Sequence, residues 1–352
     1  MAVGNRRVGG KVELTETSWT GPGSRLVEGG MKAAVYDRYG GPEVLAVRDV
    51  PMPLAGAGEL LVKVVAAAIN PVDWKVMRGD LRLVSGRRFP RFIGADFAGT
   101  VAAVGAGVSA FNVGDAVFGN VNPVAGKRGG MAEFVVVRPS KIALKPANLP
   151  FADAASLPVA GISALDCLNR LGEARSGQRV LVIGAAGGVG AFIVQLAKSG
   201  GLLVTAVCRG GNSDWVRQFG ADTVIAYDRE AVFKGDARYE LIIDAAAVSS
   251  FGQCREWLTP RGIYVNTMPT PLNYFDAWRT RWFAARKARV LIAQISRARL
   301  ERLGAMLAEG KLKSVVVERF SLDEVRRAYE LSRTGHVRGK IVVEIAAPVT
   351  PE

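Results

Sequence analysis

The sequence predicts an α/β protein in two parts, a domain of short strands followed by a parallel sheet covered on both faces. Three observations carry this expectation. Residues 31–150 hold short runs rich in Val, Ala and Gly, separated by turn residues. From Arg179 onward, strand-like and helix-like segments alternate. The tail after Ala298 returns to mixed character. A length of 352 residues suits two domains or three. The 49% apolar and 22% charged composition is a globular balance that excludes pervasive disorder.

In chain order, Met1–Gly30 is polar and lacks a hydrophobic period, so it reads as a disordered N-terminal extension. Arg6, Arg7, Lys11 and Arg25 hint at a transit peptide, but Glu13, Glu16 and Glu28 argue against one. Structured sequence is expected from Met31. Leu60–Ile69, Phe97–Val104, Ala116–Phe118 and Phe134–Val137 read as strands of a partly open barrel or sandwich, and Phe151–Leu171 carries helical spacing. Then follow a strand at Arg179–Ile183, a helix at Gly188–Ser199, a strand at Leu202–Val207 and a helix at Ser213–Phe219. Strands at Thr223–Ala226, Leu241–Ile243 and Ile263–Val265 come next, with a helix near Ser250–Leu258. The tail offers amphipathic helices at Ala298–Ala308 and Leu322–Ser332 and a final strand at Lys340–Ile345. The longest uncharged stretch, Val180–Ala197, is long enough to flag as a membrane span. Its clustered glycines break it into strand, turn and helix instead.

Composition narrows the chemistry. Cys167, Cys208 and Cys254 are odd in number and far apart, which argues against a disulfide framework and fits a reducing, cytoplasmic compartment. His336 is the single histidine, and no paired Cys or His spacing occurs, so no zinc site is expected. The net charge of +14 is compatible with nucleic acid, a membrane surface or an anionic ligand.

The strongest chemical feature is the run Val180-Leu181-Val182-Ile183-Gly184-Ala185-Ala186-Gly187-Gly188-Val189-Gly190. Gly184, Gly187 and Gly190 follow a strand and open a helix. Glycine permits the tight turn and lets backbone N–H groups approach a pyrophosphate, which the helix N-terminus then stabilises. A plain β–α turn is the simpler alternative. An NAD site places Asp or Glu about 20 residues on, at the end of the second strand. Here that strand ends at Cys208-Arg209, and no acid lies between Ala191 and Ser213. A cation there attracts a 2′-phosphate, so NADPH is the expected cofactor, unless Arg209 is simply a solvated loop arginine.

At these residues the chain resembles the medium-chain dehydrogenase/reductase superfamily, in its zinc-independent quinone oxidoreductase branch, from Met31 to about Ile345. The resemblance rests on ordered segments: Met31-Lys32-Ala33-Ala34, Gly41-Pro42-Glu43-Val44-Leu45, Asn70-Pro71-Val72-Asp73-Trp74-Lys75 and Ile93-Gly94-Ala95-Asp96-Phe97-Ala98-Gly99. Leu157–Ala164, the glycine loop and Gly335–Val342 continue it. The resemblance implies a GroES-like β domain plus a Rossmann doubly wound parallel-sheet domain, with the cofactor in the cleft between them. The implied division is 31–155, completed by 296–352, and 156–295. Zinc-dependent relatives carry Cys where this chain has Asn70, and His-Glu where it has Ala95-Asp96. Without a Lewis acid to stabilise an alkoxide, reduction of a quinone or α,β-unsaturated carbonyl is the expected chemistry.

The resemblance also implies site residues. Asn70 and Asp73 would lie at the catalytic cleft, near the nicotinamide and substrate, and Lys75, read from its own chemistry, could donate a proton or bind an acceptor oxygen. Ser163, Gly184, Ala186, Gly187, Gly188, Val189, Gly190, Arg209, Asn212, Tyr227, Val265, Asn266 and Arg338 would bind cofactor. Plainer readings stand beside these: Asn70 and Asp73 capping the Pro71 turn, Tyr227 an ordinary strand-end aromatic, Lys75 a surface lysine. Several relatives carry Tyr where this chain has Leu81, so protonation from solvent is expected. The basic run Arg279, Arg281, Arg286, Lys287, Arg289, Arg297, Arg299 and Arg302, interleaved with Trp278, Trp282 and Phe283, offers a second class of reading. It could make the chain an NADPH-responsive protein that binds nucleic acid or a membrane, or be only a solvated face. The expected partners are a small carbonyl or quinone substrate and a second copy of the chain, with neither nucleic acid nor membrane.

Overall fold

The computed structural model describes residues 26–346 apart from Pro269. Most of the expected extension, residues 1–25, lies outside the described residues. The rest of it differs from expectation, because the first strand, β1, runs Leu26–Tyr36. Its early residues pair antiparallel with β2 (Ala46–Pro53), Leu26 opposite Pro53. The backbone ladder holds these residues, and their side-chain sequence gives no period to reveal it.

The β-rich part continues through β3 (Leu60–Ala68), α1 (Pro71–Arg78), the short α2 (Arg82–Ser85) and β4 (Arg91–Phe92). Strands β5 (Asp96–Val104), β6 (Ala116–Asn120), β7 (Phe134–Val137) and β8 (Ile142–Leu144) complete the run. Helices α3 (Phe151–Ser156) and α4 (Pro158–Leu165) follow, then a π-helical turn at Asp166–Leu171. Pro158 opens α4 at the position where its missing N–H costs nothing.

The second part alternates. It holds β9 (Arg179–Ile183), α5 (Gly188–Ser199), β10 (Leu203–Cys208), α6 (Ser213–Gln218), β11 (Thr223–Ala226) and β12 (Tyr239–Asp244). Then come α7 (Phe251–Cys254), β13 (Leu258–Asn266), α8 (Pro271–Phe283) and β14 (Lys287–Val290). Six strands form a parallel sheet in the order β11-β10-β9-β12-β13-β14. Strands β9 and β12 are buried along most of their length, as a sheet covered on both faces requires. The order reverses between β9 and β12, the crevice where open α/β sheets bind ligands.

The chain then returns through α9 (Arg297–Ala308), β15 (Val316–Ser321), α10 (Val325–Arg333) and β16 (Lys340–Glu344). Strand β16 pairs antiparallel with β3, Val342 opposite Ala68, and so joins a seven-stranded sheet with β5, β6, β7, β8 and β15. One buried apolar cluster links both parts: Ala66, Ala98 and Phe118 of the β-rich sheet pack with Ala155, Leu165 and Val182. The fold is therefore a GroES-like β domain joined to a Rossmann-type parallel-sheet domain. The join is a packed core rather than a linker.

Candidate active site between the two sheets

The glycine loop has the geometry a pyrophosphate needs. Gly184 has φ of +76°, a conformation that disfavours any side chain, and a Cβ there would stand 2.7 Å from Ala246 Cβ. A Cβ on Gly190 would press on the Gly184 carbonyl, whereas Gly187 faces nearly open space. Gly187 caps α5 in an extended conformation, so the first N–H groups of this 12-residue helix point out of the loop. Gly187, Gly188 and Val189 are partly exposed, and Ala186 is buried beneath them. A dinucleotide fits this cradle.

Residues expected to meet the cofactor's adenosine end lie at and beyond the end of β10. Arg209 is largely exposed there, Asn212 follows in a short turn closed onto the Arg209 carbonyl at 2.8 Å, and half-exposed Tyr227 donates its N–H to Cys208 O at 3.1 Å. Arg338 lies against α6, the helix after β10, its guanidinium 5.7 Å above the Trp215 ring. Two neighbours were not visible in the sequence. Arg229 lies against Gly210, its Nε 2.6 Å from where a Cβ would be. Asp228 accepts the Gly210 N–H at 2.7 Å and stands 3.9 Å from Arg209. Its carboxyl is held below the usual range, chiefly by the Gly210 N–H. The strand-end acid absent from β10 is thus supplied by the next strand, in a pair with the arginine.

The residues expected to be catalytic divide. Asn70 is 2% exposed and Asp73 1%. The Asn70 Nδ2 donates to Asp96 Oδ2 at 2.9 Å, and its Oδ1 accepts from Lys340 Nζ at 2.7 Å. Asp96 also accepts from Asn120 Nδ2 at 2.7 Å and from the Val159 N–H at 3.0 Å. Asp73 Oδ2 accepts the Asn70 N–H at 2.9 Å and the Tyr329 hydroxyl at 3.4 Å, while its Oδ1 has no partner. Burial pushes the Asp73 carboxyl up to about 7, with the Asn70 N–H and Lys340 opposing and Asp96 adding to the rise. Burial also raises Asp96 and lowers Lys340, each opposed by the other's charge. Asn70 and Asp73, expected at the catalytic cleft, are thus buried side chains engaged with one another and with Asp96, Lys340 and Tyr329. All their side-chain polar atoms but Asp73 Oδ1 are engaged in this network, because α1 starts where β3, β5 and β16 converge.

Lys75, further along α1, is half-buried, and among the described residues no carboxylate pairs with its ammonium within ion-pair distance. Burial lowers its pKa, with Asp80 opposing. Leu81 caps α2. Tyr39 packs under Gly79 nearby, but its hydroxyl is held by Ser85 Oγ and the Gly86 carbonyl.

Ser163 is buried in α4, and Val265 is completely buried in β13, with β12 paired on one side of it and β14 on the other. Asn266 uses its side chain internally, donating to Tyr264 OH at 3.1 Å and accepting the Met268 N–H at 2.9 Å. It lines a cleft of about 510 Å³ with Ala247, Ser249, Met268 and Thr270, at the C-terminal ends of β12 and β13. Sequence reasoning missed Asp244. Fully buried at the end of β12, it accepts the Ala246, Val248 and Ser249 N–H groups at 3.1, 3.3 and 2.7 Å, holding the loop that faces Gly184. Burial raises its pKa despite those donors. An acid at a strand end beside Ala245-Ala246-Ala247 was the available clue.

The basic run does not form one patch. Arg286 and Lys287 bind carbonyls of Leu258, Thr259, Thr280 and Arg281, and Arg289 faces Glu173 at 3.7 Å. Arg297 pairs with Glu301 at 2.8 Å, and Arg299 with buried Asp166 at 2.7 Å. Phe275, Trp278 and Trp282 form an outward row on α8, more than half exposed. Among the described residues no helix is long and apolar enough to cross a membrane, and no three His, Cys, Asp or Glu side chains come together as metal ligands. Asn70 and Asp96, with an ammonium against Asn70 and neither thiolate nor imidazole, do not fit a zinc ion.

Two family models match, that of the alcohol dehydrogenase GroES-like domain at residues 56–147 and that of the zinc-binding dehydrogenase at 219–343. The chain is 35% identical over 325 residues to the chloroplastic quinone-oxidoreductase QR1 of Triphysaria versicolor, covering 89% of this chain and 98% of the relative. It is 33% identical over 327 residues to the chloroplastic NADPH-dependent alkenal/one oxidoreductase of Arabidopsis thaliana, covering 89% and 79%. The solved quinone oxidoreductase of Coxiella burnetii superposes with a TM-score of 0.82 at 33% identity, over 90% of this chain and all of that one. On this likeness and the cradle described above, the chain belongs to the medium-chain dehydrogenase/reductase superfamily, in its quinone oxidoreductase branch, and is an oxidoreductase that uses a nicotinamide cofactor.

Proposed function

We propose that this oxidoreductase takes its hydride from NADPH and delivers it, without a metal, to a quinone or α,β-unsaturated carbonyl. The observation that carries the cofactor choice is the set of guanidinium groups around the end of β10. Arg209 and Arg229 there, with Arg338 over Trp215 of the following helix, outnumber Asp228, which is already engaged by Gly210. Asn212 and Tyr227 supply neutral donors beside them. The bound nicotinamide supplies the hydride. The chain's residues do the rest: the glycine loop binds the pyrophosphate, and the network beneath Asn70 keeps α1 in place. Lys75 offers an ammonium to the acceptor oxygen, where negative charge develops. Its lowered pKa makes that hydrogen bond stronger and keeps it able to give up a proton, which solvent restores. The names of the relatives, quinone and alkenal/one oxidoreductases, support the same acceptor class.

The test is a titration of NADPH and NADH, followed by oxidation of each against quinones, enones and aldehydes. NADPH should bind more tightly, and Arg209→Ala should weaken it about tenfold while leaving NADH nearly unchanged. Equal or tighter NADH binding by the wild type would overturn the cofactor reading. Turnover confined to saturated alcohols and aldehydes would overturn the acceptor reading.

A further inference from the structure

Lys340 is a buried cation that the chemistry above leaves without a role. It opens β16 and is 5% exposed, whereas Arg338, two residues earlier, is exposed. An ammonium is buried only where its donors are satisfied. Here Nζ donates to Ile69 O and to Asn70 Oδ1, each at 2.7 Å. The result is a connection between two distant segments. On one side, the Gly339 N–H donates to Ala186 O at 2.8 Å, Gly339 bridges Gly187, and a Cβ on Gly188 would stand 2.6 Å from Lys340 Cδ. The lysine stem thus lies against the first turn of α5. On the other side, the ammonium holds the residue that caps α1, the helix bearing Lys75. Asn70 passes the link to Asp96, and Asp96 passes it to the Val159 N–H in α4, the helix of Ser163.

We propose that Lys340 is a positioning residue, fixing the Asn70 carboxamide against the glycine loop so that this loop, α1 and α4 keep one register. With Oδ1 on an ammonium and Nδ2 on a carboxylate, the amide has one favourable orientation. The consequence for turnover rests on the reductase reading above; the linkage itself does not.

Hydrogen exchange of the free protein tests the linkage. Lys340→Met should speed exchange about fivefold or more in both 68–78 and 184–191, leaving β12 protected, and Lys340→Arg should restore much of it. Gly188→Ala keeps the ammonium but displaces its stem, so it should loosen the same two segments to a smaller degree, and it serves if Lys340→Met does not fold. In steady-state assays Lys340→Met should lower kcat about tenfold or more with the dinucleotide Kd within about threefold, and Lys340→Arg should recover kcat. Exchange that rises in one segment only, or uniformly over the sheet, overturns the proposal, as does a parallel loss of kcat and Kd in both lysine variants. Should the wild type neither bind nor oxidise NADPH or NADH, the reductase reading falls while the exchange result still decides the linkage.

Discussion

Asp73 and the buried charges beside it make stability depend on pH. The Asp73 carboxyl is buried, one oxygen lacks a partner, and its pKa stands at about 7 against an ordinary 3.8. Between those values the folded chain holds a proton that the unfolded chain has released. Stability from this group is therefore fully present below pH 3.8 and is lost as pH rises to about 7. At about 1.4 kcal/mol per pH unit, roughly two pH units above pH 5 amount to about 2–3 kcal/mol lost by pH 8. Asp73→Asn mimics the protonated group: its Oδ1 can accept from the Asn70 N–H and the Tyr329 hydroxyl, and it does not ionise. Urea unfolding of both proteins at pH 5, 6, 7 and 8 reads the difference, in which titrating groups away from Asp73, Asp96 and Lys340 cancel. The variant should gain on the wild type by about 2–3 kcal/mol across that range, with most of the change below pH 7. A difference that stays constant with pH would refute the argument and mean that Asp73 is ionised in the folded protein throughout.

Other outcomes follow from the same geometry. Asp228→Asn keeps an acceptor for the Gly210 N–H but removes the charge beside Arg209, so NADPH should bind a few-fold more tightly in titration with NADH little changed. Gly190→Ala places a methyl against the Gly184 carbonyl and should weaken both dinucleotides about tenfold or more, measured by fluorescence titration. Prolonged EDTA treatment should leave turnover and melting temperature unchanged, and metal analysis should find less than stoichiometric zinc.

Local patterns in the sequence determined much of the fold. A β-branched run followed by glycine, as at Arg179–Gly190, can satisfy its backbone only as strand, turn and helix, and the helix runs Gly188–Ser199 as expected. Strands Phe134–Val137 and Thr223–Ala226 were legible for the same reason, since side-chain period and flanking turns are properties of neighbours in sequence. Other features were decided by contacts across the chain. The ladder of Leu26 with Pro53 and the acid that Asp228 brings to Arg209 come from different strands. The basic run from Arg279 looked like one surface, yet folding spread its charges over α8, β14 and α9 and gave many of them internal partners. Asn70, Asp73 and Lys75 share one short motif, but burial separates two network carboxyl and amide groups from a half-exposed ammonium. Burial depends on what converges from elsewhere: Lys340 arrives 270 residues later to take the Asn70 carbonyl, and only the tertiary structure brings them together.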